Sequence, residues 1–108
     1  MKTKQFNQIV KKQCESIKRV LLQKGSEYAS AEDRFHNFNE GAIEVKLPRL
    51  KYAESLMQKH ITSVRDIINQ WDSKKPSPAM LDEKMGDFIN YLILIKGLML
   101  EEMDNHGD

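Results

Sequence analysis

The chain of 108 residues is poor in cysteine, proline and glycine, and it lacks any long apolar run. Its single cysteine, Cys14, cannot form an internal disulfide, which excludes a disulfide-stapled scaffold and fits a reducing compartment. The longest apolar run, residues 91–95, is far shorter than the ~20 residues that a membrane-spanning helix needs. The first residues, MKTKQFNQ, lack the apolar stretch of a signal peptide. We therefore expect a soluble, cytoplasmic protein without a membrane partner.

A charge excess of one sign and several familiar motifs are also missing. The formal net charge is +1, and the basic residues are dispersed without interleaved aromatics, so no nucleic-acid partner is expected. The sequence contains no P-loop glycine run, Rossmann fingerprint, HExxH motif, paired-cysteine motif or nucleophile elbow. The sequence therefore does not indicate a P-loop or Rossmann nucleotide site, a zinc-protease site, a paired-cysteine site or a serine-hydrolase site.

What the sequence does contain is apolar residues at helical spacing. The periods and capping signals predict helices at about residues 4–24, 37–47, 48–72 and from 78 onward. Gly25 supplies a stop for the first helix, and Ser77 caps the fourth. Residues 26–36 show no sustained period and are expected to form a loop. No strand-like alternation competes with these periods.

These elements predict a single all-α domain over residues 1–108, built as a four-helix bundle. Its core is expected at about residues 4–103, with a frayed tail at 104–108. The fourth helix is apolar on more than one face, which a single small bundle covers only in part. We therefore expect a two-fold homodimer through this helix.

A polar stripe interrupts the fourth helix. Glu83, Asp87 and Asn90 stand at i, i+4 and i+7, on one side of the helix. A carboxylate in an apolar helix is unfavourable unless something binds it, and Mg²⁺ is a hard ion that takes oxygen ligands. Exposure near the helix start explains Glu83 equally, and a buried polar network is the alternative for Asp87.

A second group of candidates is cationic. Lys59, His60 and Ser63 have a spacing that could bind an oxyanion, with charge from the lysine and hydrogen bonds from the other two. A histidine at this apolar position is also explained by core packing. Arg34 could fork onto a phosphate, or pair with Glu32 or Asp33 at the surface. Asn37 lies beside it and could instead cap the second helix.

Three segments together resemble a known family. The stretch EKMGDFINYLILIKGL, residues 83–98, looks like the last core helix of the phage and bacterial nucleotide modification associated domain family. These proteins are small relatives of the MazG-like all-α nucleotide pyrophosphohydrolases. KGSEYASAEDRFHNF at 24–38 and QKHITSV at 58–64 extend the resemblance over most of the chain. It implies a four-helix bundle that dimerises and hydrolyses nucleoside triphosphates to monophosphate and pyrophosphate, with Mg²⁺ held by carboxylates on two antiparallel helices.

The chain departs from that family's carboxylate pattern, which is EExxE on one helix and ExxD on the next. Asp87 matches the aspartate, but Lys84 stands at the preceding glutamate, and Glu83 lies one position off. Lys59 and His60 occupy the place expected for EExxE. Two or more carboxylates are needed to hold Mg²⁺ at a triphosphate, so the resemblance supports a phosphate-bearing ligand more firmly than catalysis.

Residues and resemblance together predict a MazG-like nucleotide-binding protein of phage or bacterial nucleotide metabolism, in the host cytoplasm if phage-encoded. In a catalytic form it would be a Mg²⁺-dependent nucleoside triphosphate pyrophosphohydrolase, and whether it is an enzyme stays open. Asp87 and Glu83 would then be the metal-binding and catalytic pair. The residues predicted to bind the nucleotide are Arg34, Asn37, Lys59, His60 and Asn90.

The alternative is a non-catalytic helical dimer that serves as an interaction or regulatory module. In it, Asp87, Asn90 and His60 form a buried polar network that fixes the helix register. Close contact between His60 and Asp87 with no room for a ligand would favour this reading. A concave pocket that contains both residues and Arg34 would favour nucleotide binding.

Overall fold

The helical periods of the sequence correspond to four α-helices in the computed structural model, which describes residues 1–24 and 33–106. The helices are α1 (Thr3–Lys18), α2 (His36–Val45), α3 (Arg49–Asn69) and α4 (Pro78–His106). α1 continues without a break into a π-helical segment, Arg19–Lys24. The described part of the chain contains no strand, so the all-α prediction is confirmed.

Local chemistry sets most of the helix ends. The Ser77 hydroxyl accepts a hydrogen bond from the Met80 amide at 3.1 Å, which is the predicted cap of α4. α2 ends at Val45 and is followed by the cap residue Lys46, whose φ of 59° is left-handed. Pro48 then leads into α3. α3 ends at Asn69, a little before the predicted limit. The predicted stop at Gly25 and residues 26–32 of the predicted loop lie outside the described residues.

The carboxyl-terminal part of α4 differs from the prediction. Fraying was expected at residues 104–108, whereas α4 remains helical to His106, and residues 107–108 lie outside the described part. Arg49, at the start of α3, forms ion pairs with Glu101 at 2.8 Å and Glu102 at 3.6 Å. These contacts hold the last turns of α4 against α3, which sequence position alone does not reveal.

The main packing is between α3 and α4, which run antiparallel. Arg49 near the start of α3 meets Glu101 near the end of α4, and His60 farther along α3 faces Asp87 earlier in α4. α2 packs on α3, and α1 crosses α4. The fully buried apolar residues of the described chain are few and mostly small: Ala42, Ala53 and Leu98.

Two glycines leave room for aromatic rings. A Cβ at Gly97 of α4 would lie 2.7 Å from the Phe35 ring, and one at Gly41 of α2 would lie 2.6 Å from Cζ of Tyr52. Neither distance is tolerated by a real carbon–carbon contact. The two glycines therefore leave the space that the Phe35 and Tyr52 rings occupy.

Much apolar surface stays uncovered. Phe6, Ile9 and Val10 of α1 are each about half exposed, and so are Leu92 and Met99 of α4. Cys14, which stands within the apolar period of α1, is also exposed. The radius of gyration is 16.4 Å, against about 13 Å for a compact chain of this length. None of the described helices is long and apolar enough to cross a bilayer.

The glycine at Gly97 gives a direct test of the packing. Gly97→Ala should lower the free energy of unfolding by about 1–3 kcal/mol, because the new methyl group overlaps the Phe35 ring. Gly86→Ala is the matched control in the same helix. There the new Cβ would lie 3.1 Å from the amide nitrogen at the tip of the Gln13 side chain, and alanine favours the helix by about 1 kcal/mol. Urea denaturation compares the two, and equal effects would contradict the assigned position of Phe35.

Candidate functional site

A concave cavity of about 550 Å³ opens between α3 and α4. Its volume lies within the usual range of small-molecule sites. The π-helical segment closes one side of it through Val20 and Leu21, and the start of α2 closes another. Its lining consists of Val20, Leu21, Arg34, Asn37, Phe38, Tyr52, Leu56, Lys59, His60, Asp87, Asn90, Tyr91 and Leu94.

The structure brings most of the predicted site residues to this one cavity. The lining includes Arg34, Asn37, Lys59, His60, Asp87 and Asn90, which come from three separate stretches of the chain. Glu83 does not line the cavity, and its side chain is exposed. Asn37 lies within the first turn of α2, whose cap position is Phe35. The capping alternative for Asn37 is therefore wrong.

Sequence reasoning missed the aromatic wall of the cavity. The Phe38 ring meets the rings of Tyr52 and Tyr91 edge to face, with centroids 6.5 Å and 6.3 Å apart. Phe38 and Tyr91 stand within the segments that carry the family resemblance. Helical spacing could have predicted Tyr52, because Tyr52, Leu56 and Lys59 stand at i, i+4 and i+7. This spacing places Tyr52 on the same face of α3 as the predicted site residue Lys59.

His60 of α3 and Asp87 of α4 face each other in the cavity lining. Nδ1 of His60 is 3.9 Å from Oδ2 of Asp87, which is too long for a hydrogen bond, and the His60 side chain is 13% exposed. The imidazole lies against the Tyr91 ring with centroids 4.7 Å apart and planes inclined at 35°. The separation from Asp87 leaves both His60 and Asp87 able to contact a ligand.

The surroundings of His60 favour its neutral form. Burial lowers its pKa from the ordinary value of 6.5. Asp87 opposes this shift, while the charges of Lys59 and Lys84 add to it. The folded chain therefore binds a proton at His60 less readily than the unfolded chain does. The stability contributed by the neutral ring is present above about pH 6.5 and is lost as the pH falls below it. At neutral pH the ring offers one donor and one acceptor.

The cavity carries more positive than negative charge. Arg34 and Lys59 are cationic, and Asp87 is the one carboxylate among the lining residues of the described chain. Burial raises the pKa of Tyr91, with smaller contributions from Tyr52 and Asp87 in the same direction. The Tyr91 phenol thus stays protonated at neutral pH and can donate a hydrogen bond. The balance of charges suits an anionic ligand.

A hydrogen-bonded chain outside the cavity fixes the turn that bears Arg34. The Asp33 carboxylate accepts bonds from the Phe35 amide and from Nδ2 of Asn39, both at 2.9 Å. Arg49 in turn donates to Oδ1 of Asn39 at 3.0 Å and to Glu101. This chain ties residues 33–39 to the start of α3 and the end of α4. The turn that bears Arg34 is therefore tied to both helices that form the cavity.

The described residues contain no larger group of metal ligands around the magnesium pair predicted at Asp87 and Glu83. They contain no group of three or more histidine, cysteine, aspartate or glutamate side chains placed to hold a metal ion. Asp87 faces His60, whereas Glu83, one turn earlier in α4, lies outside the cavity. Mg²⁺ in nucleotide sites is commonly held by one or two carboxylates together with the phosphates of the substrate, and Asp87 is the one carboxylate among the described lining residues. Magnesium binding stays a prediction.

Comparisons with known proteins do not identify the chain. No protein-family model, curated protein or solved structure matches it significantly. The family resemblance of residues 24–38, 58–64 and 83–98 therefore stays a prediction. The function of the site is therefore inferred from the charge and the aromatic lining of the cavity.

The electrostatics of His60 can be measured directly. Lys59→Gln should raise the pKa of His60, because it removes a cation that disfavours protonation, and Asp87→Asn should lower it. Lys51→Gln is the control, since Lys51 lies exposed beside Glu54, outside the cavity lining. The assigned imidazole resonances of His60, followed by NMR from pH 4 to pH 8, report the pKa. Opposite shifts, or equal shifts in Lys59→Gln and Lys51→Gln, would contradict this arrangement of charges.

Proposed function

We propose that this chain is a MazG-like helical protein that binds a nucleotide through its phosphates in the cavity between α3 and α4. The observation that carries the proposal is the pairing of a cationic region with an aromatic wall in one concave site. A nucleotide has the same two parts, an anionic phosphate chain and a flat base. The described residues place both kinds of partner on one surface.

The cationic part supplies different kinds of phosphate contact. Arg34 presents a planar guanidinium that binds two phosphate oxygens at once. Lys59 adds a mobile point charge, and the neutral His60 ring adds a hydrogen-bond donor. Asp87 repels an anion, which directs the phosphates towards Lys59 and Arg34 and leaves the carboxylate free to accept a hydrogen bond from the ligand.

The aromatic part suits a base. The Phe38 ring meets the rings of Tyr52 and Tyr91 edge to face, and all three rings line the cavity where a flat ligand would lie. Stacking of a base on an aromatic side chain contributes about 1–3 kcal/mol and tolerates different bases. Nucleotide binding therefore uses the apolar wall as well as the charged rim.

The buried-network alternative is less well supported. A polar network that fixes helix register has its donors and acceptors paired. Here His60 and Asp87 are too far apart for a hydrogen bond, and no described donor reaches Oδ1 of Asn90. An unpaired buried acceptor beside an open cavity is typical of a binding site.

We also propose that the protein is a homodimer through α4, with α1 contributing to the interface. The accessible surface of the chain is 8413 Å², whereas a compact monomer of 12.6 kDa exposes about 6,200 Å². A standard interface buries about 800 Å² per partner. The half-exposed apolar side chains of α1 and α4, among them Phe6, Ile9, Leu92 and Met99, supply the apolar part of such an interface.

Binding tests the nucleotide proposal. Isothermal titration calorimetry with deoxynucleoside triphosphates, without added metal, should detect binding to the native chain. Lys59→Gln should weaken it about tenfold, equivalent to about 1.4 kcal/mol, because a direct phosphate contact is lost. Lys51→Gln, with the same charge change outside the cavity lining, should bind as the native chain does. Equal losses in both variants would indicate bulk electrostatics, and no binding to the native chain would refute the proposal.

Hydrolysis decides whether the bound nucleotide is also a substrate. A panel of canonical and modified triphosphates is incubated with and without Mg²⁺ or Mn²⁺, and the products are separated by ion exchange. If the carboxylate pattern supports catalysis, monophosphate and pyrophosphate appear only with metal and disappear in Asp87→Asn. Unchanged turnover in Asp87→Asn would remove that residue from the mechanism. Binding without turnover would indicate a nucleotide-binding protein.

Sedimentation tests the dimer. The native chain should sediment at twice 12.6 kDa, and Met99→Lys should shift it to monomer, because a charge buried in the apolar interface is unfavourable. Ile68→Lys makes the same kind of change at an exposed apolar position of α3 and should leave the dimer intact. A monomeric native chain at all concentrations would refute the dimer.

A further inference from the structure

One side chain of the cavity has an unsatisfied hydrogen-bonding atom. Asn90 is 7% exposed, lines the cavity, and has an Oδ1 that no donor of the described residues reaches. Buried carbonyl oxygens are nearly always paired, since an unpaired one loses its bond to water without replacement. The χ2 torsion of asparagine is soft, so the amide can rotate to present this oxygen to a ligand.

The position of Asn90 along the cavity indicates which part of a ligand it meets. The lining residues of α4 run from Asp87 through Asn90 and Tyr91 to Leu94, a distance of about 10 Å at 1.5 Å per residue. Because α3 runs antiparallel, its lining changes from Lys59 and His60 opposite Asp87 to Leu56 and Tyr52 farther along. The lining from α3 and α4 therefore changes from charged residues at one end to uncharged residues at the other, with Asn90 between Asp87 and Leu94.

We propose that Asn90 determines ligand specificity by accepting a hydrogen bond from a sugar hydroxyl of the bound nucleotide. This inference rests on the proposed function. With the phosphates at Lys59 and the base at the aromatic wall, the sugar lies in the middle of the cavity, beside Asn90. A hydroxyl is the donor that a sugar offers there. A site with a buried acceptor rejects a ligand that lacks the matching donor, because the acceptor then stays unpaired in the complex.

The test compares a 2′-deoxynucleoside triphosphate with the 2′,3′-dideoxy triphosphate of the same base, which differ only in the 3′-hydroxyl. The native chain should bind the ligand with the hydroxyl at least tenfold more tightly by calorimetry. Asn90→Leu, of similar shape but without the acceptor, should bind the two ligands equally. Asn90→Asp keeps an acceptor and should keep the preference, with weaker binding of both ligands because its charge repels the phosphates. Asn69→Leu, at an exposed position of α3, should bind as the native chain does.

A second readout separates ligand recognition from a structural role. Asn90→Leu should keep or raise the melting temperature of the ligand-free protein, because it removes an unpaired buried acceptor. A clear fall would indicate a structural hydrogen bond and overturn the inference. Equal binding of the two triphosphates by the native chain overturns this inference alone, whereas no binding of either overturns the proposed function as well.

Discussion

The antiparallel packing of α3 against α4 is the constraint on which the rest of the structure depends. Arg49 fixes the register at one end, where it bonds to Glu101 and to the Leu98 carbonyl. With that register set, Lys59 and His60 face Asp87 and the cavity opens between the helices. The same arginine holds Asn39, and through it the turn that carries Arg34. One partly buried guanidinium thus links the helix pair and the cavity rim.

The chain departs from ordinary packing rules in two ways, and each is explained by contact with another molecule. Several apolar side chains on α1 and α4 are half exposed, and the buried Oδ1 of Asn90 meets no donor of the described residues. Departures of this kind concentrate at functional surfaces, where a ligand or partner supplies what the chain lacks. A nucleotide in the cavity and a second copy on the apolar face would account for both.

The sequence predicts the helices well because their signals are local. Apolar periods, Ser77 and Pro48 define the ends to within a few residues. Six of the predicted site residues come to one cavity. Helical spacing fixes the positions of four of them, Lys59 and His60 on α3 and Asp87 and Asn90 on α4. Helical spacing predicts that Glu83 and Asp87 share one side of α4, but only Asp87 lines the cavity. The cavity ends before it reaches Glu83, which depends on tertiary packing.

Other features depend on distant contacts that local patterns do not encode. The helical end of α4 rests on Arg49, which lies more than fifty residues earlier. The exposure of Cys14 and of the apolar face of α1 reflects how little of α1 the other helices cover. The aromatic wall around Phe38 needs Gly41 and Gly97 to admit the neighbouring rings, which is a tertiary requirement.

The most direct test of the central claim is where a nucleotide binds. A nucleoside triphosphate is titrated into ¹⁵N-labelled protein, and the backbone amide shifts are followed by NMR. Our account predicts saturable shifts at Lys59, His60, Asp87 and Asn90, with the amides around Phe6 in α1 unchanged. Shifts spread over surface lysines without saturation, or saturable shifts confined to another part of the chain, would contradict it.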